Sequence, residues 1–108
     1  MRFQIHFQWL FLFIKYFNWN VEKNKKLKQE RNITFEEVLF SIKEGKILDI
    51  LEHSNKEKYK DQKLLVVEIN NYAYLVPFVG ADEEIFLKKI IPSRKATKKY
   101  LRKKNEKK

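Results

Sequence analysis

The stretch from Leu64 to Val79 constrains this chain more than any other. Two apolar runs, Leu64–Ile69 and Tyr72–Val79, are separated only by Asn70-Asn71. Asparagine tolerates left-handed backbone, so two in succession suit the tight turn of a hairpin, and the flanking runs must then be antiparallel neighbours. A hairpin cannot bury its apolar side alone, so the rest of the chain has to supply more strands and covering helices. Pro77 has no N–H to give to a ladder and predicts an edge or a bulge in the second strand.

Upstream, Thr34-Phe35-Glu36-Glu37 has the form of a capping box, with Ile33 and Val38 in the staple positions. Phe35, Val38, Leu39 and Ile42 recur at helical spacing, and Gly45 supplies a left-handed stop. Before it, Tyr16, Phe17 and Trp19 read as a short strand. Asn20 then caps a helix through Arg31, with Glu22 in its first turn. Val21 and Leu27 are the apolar anchors of that helix. Lys23, Lys25, Lys26, Lys28 and Arg31 surround it, either as a solvated face or as a contribution to RNA binding. Downstream, Ile47–Leu51 reads as a strand, His53–Lys63 as a polar loop, Gly80–Glu84 as a turn and Ile85–Ile91 as the last strand. No parallel crossover is signalled. The expectation is an α+β domain: an antiparallel sheet of about four to five strands with the helices grouped on one face.

The domain should span residues 16–102, between an apolar extension, 1–15, and a basic tail, 103–108. In the extension, Phe3, Ile5, Phe7 and Trp9 alternate with polar residues as in a half-buried strand, and the uninterrupted apolar run Trp9–Ile14 is far short of the roughly 20 residues that cross a bilayer. A membrane-surface anchor is the alternative for this stretch, and a natural start near Lys15 is another. The chain has no cysteine, which removes disulfides and thiolate metal sites and suits a reducing cytoplasm. His6 and His53 are too far apart in sequence to suggest a metal pair, and there is no Gly-rich phosphate loop, so neither metal nor cofactor is expected.

Net charge is +10, and residues 94–108 hold nine Lys or Arg against the single acid Glu106. This asymmetry points to a polyanion, nucleic acid first and an anionic membrane surface second. Pro92 stops anything helical arriving from upstream and Ser93 is a good N-cap, so a helix should begin at Arg94. At about 100° per residue, Ala96, Tyr100 and Leu101 share one arc, while Arg94, Lys95, Lys98, Lys99 and Arg102 fill the other. Such residues can support metal-free phosphodiester cleavage, in which a 2′-hydroxyl attacks the adjacent phosphate. Arg94, whose planar fork can hold two phosphate oxygens, is the candidate for charge stabilisation. Glu52 and His53, beside the polar loop, are a candidate acid/base pair, and Glu68 is a further candidate base. Tyr72 and Tyr74 share a strand face and either stack bases or fill the core, with Val76 and Phe78 favouring the core.

Phe17-Asn18-Trp19-Asn20, Lys23-Asn24, Leu27-Lys28, Ile33-Thr34-Phe35-Glu36-Glu37 and Ile90-Ile91-Pro92-Ser93-Arg94-Lys95-Ala96-Thr97-Lys98 occur in that order. Over Tyr16 to Leu101 this pattern resembles the BrnT family of type II toxins. The resemblance implies a RelE-like fold and a ribonuclease that blocks translation by cutting RNA. It also implies a partner, a DNA-binding antitoxin of ribbon-helix-helix type encoded beside it. Glu30-Arg31-Asn32 stands where the family commonly has Lys-His-Gly, which makes Arg31 a candidate at the position of the imidazole. Pro92-Ser93 replaces the usual Ser-Ala before Arg94, and Lys98–Lys104 replaces a Glu-rich continuation. The candidate catalytic set is therefore Arg94, Arg31, Glu52 and His53, with Lys95, Lys98, Lys99, Arg102 and Lys28 as RNA contacts.

Overall fold

The computed structural model describes residues 16–52, 55, 57–58, 62–81 and 83–102. The elements are β1 (Tyr16–Trp19), α1 (Val21–Arg31), α2 (Phe35–Lys43), β2 (Ile47–Glu52), β3 (Gln62–Ile69), β4 (Tyr72–Ala81), β5 (Glu84–Leu87), β6 (Ile91–Pro92) and α3 (Arg94–Ala96), which runs on as a π-helix over Thr97–Arg102. His53, the 1–15 extension and the 103–108 tail lie outside the described residues.

The hairpin forms as the asparagines dictate. Asn70 and Asn71 take φ of 54° and 64°, and β3 pairs with β4 from Ile69↔Tyr72 to Gln62↔Val79. β2 and β5 add antiparallel strands on either side, giving the order β1-β5-β4-β3-β2. The sheet is nevertheless mixed, because β1 lies parallel to β5 with Phe17 opposite Ile85 and Trp19 opposite Leu87. This corrects the all-antiparallel expectation. The whole of α1 to β4 lies between these two strands, so no short crossover announces their pairing; burial of Phe17 and Trp19 against the core supports it.

Two bulges shape the sheet. In β2, Leu48 is an extra residue between the pairs Ile47↔Val67 and Asp49↔Val66. Along the edge of β4, Val76 and Pro77 face three residues, Lys88, Lys89 and Ile90, between the pairs Phe78↔Leu87 and Leu75↔Ile91. The Pro77 carbonyl accepts from the Lys88 N–H at 2.8 Å, so the missing N–H of Pro77 is turned toward this bulge, where no ladder bond is lost.

One face of the sheet carries the main core. Phe35, Val38 and Ile42 of α2 pack with Leu65, Val67, Val76, Phe78, Ile85 and Leu87, and Trp19 stacks on Phe35 with ring centroids 5.7 Å apart. Thr34 Oγ1 accepts from the Glu37 N–H at 3.3 Å as the capping box requires. The Phe35 N–H, however, is taken by Asn24 Oδ1 of α1 at 2.8 Å, which ties the two helices together. Leu27 alone anchors α1 to this core, since Val21 is 61% exposed and plays no such part.

Helices are not grouped on one face. The second face buries Val66, Ala73 and Ala96, with Leu48, Leu51, Leu75, Tyr100 and Leu101 packed around them, so the C-terminal helix covers it. Leu64-Leu65-Val66-Val67, apolar at every position, is the sequence sign of a strand buried on both sides. Among the described residues, no helix is long and apolar enough to cross a membrane.

Candidate nucleic-acid interface

The C-terminal helix is fastened to β4 by a polar clamp. Ser93 Oγ accepts from the Ala96 N–H at 3.0 Å and so caps α3, while the Ser93 N–H donates to the Ala73 carbonyl at 3.0 Å. Thr97, only 6% exposed, donates its hydroxyl to the Ser93 carbonyl at 2.8 Å and accepts from the Ala73 N–H at 2.9 Å. Ser93 and Thr97 thus satisfy both backbone groups of Ala73, as a neighbouring strand would.

Further along, the Tyr100 hydroxyl donates to Asp49 Oδ2 at 2.5 Å, and Asp49 Oδ1 accepts from the Ile50 N–H at 2.8 Å. Burial pushes the Tyr100 hydroxyl up to about 12, aided by its hydrogen bond to Asp49 and by that carboxylate's charge. It is a fixed donor at neutral pH. The β2 bulge gives this bond its acceptor, because it turns Asp49 toward the helix. With Ala96 and Thr97 buried and Tyr100 and Leu101 half-buried, the opposite side of the helix presents Arg94, Lys95, Lys98, Lys99 and Arg102 to solvent. Lys99 Nζ lies 5.2 Å from the centre of the Tyr100 ring. Among the described residues, no carboxylate lies within 4.0 Å of any of these five cations; Lys63–Glu52, at 3.4 Å, is the pair that does form.

The remaining candidates are distributed elsewhere. Arg31 and Lys28 are exposed on α1, on the main-core face of the sheet and not the face of the C-terminal helix. Arg31 borders a cleft with Lys23, Lys26 and Lys89. Glu52 ends β2 opposite Lys63, level with Phe78 of β4, whereas the helix is clamped at Ala73, five residues or ~17 Å along the strand. The structure therefore does not bring Glu52 to Arg94. Tyr74 packs against the main core, edge-to-face with Tyr72 at 5.7 Å, and its hydroxyl is raised by burial and then by the Glu37 charge. Tyr74 thus takes the core role, while Tyr72 is half-buried beside it. Glu68 is half-buried, and its carbonyl accepts from Ser41 Oγ at 2.5 Å.

Sequence reasoning missed Asp49, Thr97 and Lys89. Asp49 left a trace, as an acid inside the apolar run Ile47–Leu51, and Lys88-Lys89 interrupts the expected last strand in the same way. Thr97 left none, because its role depends on where Ala73 lies. Comparisons of the chain with protein-family profiles, with curated proteins and with solved structures found no match.

Proposed function

We propose that the chain is a ribonuclease toxin of a type II toxin-antitoxin system, acting in the cytoplasm on RNA held along its C-terminal helix. One observation carries this reading: five exposed cations, unaccompanied by any acid between Arg94 and Arg102, are held on a helix clamped to the sheet at Ala73. The element order, β1, two helices, a meander from β2 to β5 and a terminal helix, supports the RelE-like reading. In the reaction the RNA 2′-oxygen bonds to phosphorus and the P–O5′ bond breaks, leaving a 2′,3′-cyclic phosphate and a 5′-hydroxyl. No metal is required. Arg94 holds the non-bridging oxygens as their charge grows. A small DNA-binding antitoxin, encoded beside the chain, would cover the same cations.

The distance between Glu52 and Arg94 favours a second reading, a non-catalytic RNA- or DNA-binding module using the same surface. Incubation with RNA in EDTA separates the two. The toxin reading expects cleavage that falls about 100-fold in Arg94→Ala, with the circular dichroism spectrum unchanged. Intact RNA after incubation with folded wild type would leave only binding.

A further inference from the structure

We propose that the cleft between α1 and the β5–β6 bulge is a binding site for a nucleoside phosphate, distinct from the outer face of the C-terminal helix. Lys23, Lys26, Leu27, Glu30 and Arg31 recur at helical spacing, so α1 turns one stripe toward the bulge, which answers with Lys89, Ile90 and Ile91. Lys23 Nζ donates to the Lys88 carbonyl at 3.2 Å and pins the helix to the bulge, setting the width of the cleft.

The cavity measures about 300 Å³. That is the small end of ligand sites, with room for one nucleotide and not for a partner's helix. Its floor is apolar, made by Leu27 and Ile90, with Ile91 at its edge. Leu27, half-buried on α1, offers a surface for the flat face of a base. Lys26, Arg31 and Lys89 form a cationic rim, and among the described residues none lies within 4.0 Å of a carboxylate. Glu30, on the same rim, supplies an acceptor for a ribose hydroxyl or an exocyclic amine, which a site for bare phosphate would not need.

The ligand is a free nucleotide or one unit of a strand. The second source has a route, since Ile91 leads through Pro92 and Ser93 directly to Arg94. The site stands on the cleft's own geometry, whether or not the chain cleaves RNA.

Amide chemical-shift titrations of the whole chain test it, with 5′-AMP, adenosine, inorganic phosphate, a hexaribonucleotide and a short acidic peptide as probes. AMP should shift Leu27, Arg31, Ile90 and Ile91, and should bind about tenfold or more tightly than adenosine or phosphate alone, as expected when two contacts act together. Arg31→Ala combined with Lys89→Ala should weaken AMP by a similar factor while the amide spectrum stays dispersed, and Lys63→Ala should leave it unchanged. If the hexaribonucleotide binds more tightly than AMP and also moves Lys95 and Lys98, the occupant is a strand unit; equal affinity identifies a free nucleotide. Absence of shifts at the cleft, phosphate binding as tightly as AMP, an unaffected double variant, or tighter binding of the acidic peptide overturns the proposal. None of these readouts depends on cleavage, so failure of the nuclease reading is seen separately.

Discussion

The two faces of the sheet are held by different physics. Under α1 and α2, a continuous apolar core runs from Ile33 to Ile90. Under the C-terminal helix, the buried apolar residues among those described are Val66, Ala73 and Ala96, and fixed polar bonds, Thr97 to Ala73 and Tyr100 to Asp49, provide much of the attachment. The first face supplies bulk stability without needing a precise side-chain position. The second places a row of cations at a defined distance from β4 with little apolar area behind it. The helix that carries the charge is therefore the part expected to open first.

The largest effect is expected in the core. Phe35→Ala removes a fully buried ring and should cost about 4 kcal/mol in urea unfolding, enough to threaten the fold. Thr97→Val should cost about 2 kcal/mol, because the buried Ala73 N–H loses its acceptor while side-chain shape is kept. Native-state hydrogen exchange should show the amides of the C-terminal helix opening well below the global unfolding energy, and those of α2 opening near it.

Smaller still is the Tyr100 bond, and pH reads it. The hydroxyl is raised from its usual 10.0 to about 12 in the folded chain, so between these values the unfolded chain has released a proton that the folded chain retains. Its contribution to stability is complete below pH 10.0 and is lost as pH rises toward about 12. Tyr100→Phe should flatten the fall of Tm over that window and cost about 1 kcal/mol at neutral pH. Binding of single-stranded RNA should weaken with salt at a log–log slope of about −3 if four phosphates are engaged, and Lys98→Ala should make that slope shallower by roughly 0.7.

What the sequence made legible divides along the same line. Local chemistry announced the hairpin at Asn70-Asn71, the caps at Asn20, Thr34 and Ser93, the stop at Gly45 and the two-sided helix after Arg94, because each is decided within one or two turns of chain. Non-local choices stayed hidden. The parallel pairing of β1 with β5, the second covered face, and the meeting of Tyr100 with Asp49 depend on residues far apart in sequence. The candidate site was legible as charge and not as geometry. Arg94 to Arg102 emerge on one surface, whereas Arg31 faces a separate cleft and Glu52 sits at the far end of the β2–β3 pair, bound to Lys63.

We propose that RNA is cut at the clamped cationic helix. A direct test compares single-turnover cleavage of one RNA, in EDTA, by wild type, Arg94→Ala and Lys63→Ala, the first cation on the clamped helix and the second on β3 beside Glu52. A loss of about 100-fold for Arg94→Ala and an unchanged rate for Lys63→Ala are expected. Equal rates for all three folded proteins, or no cleavage by wild type, would contradict it.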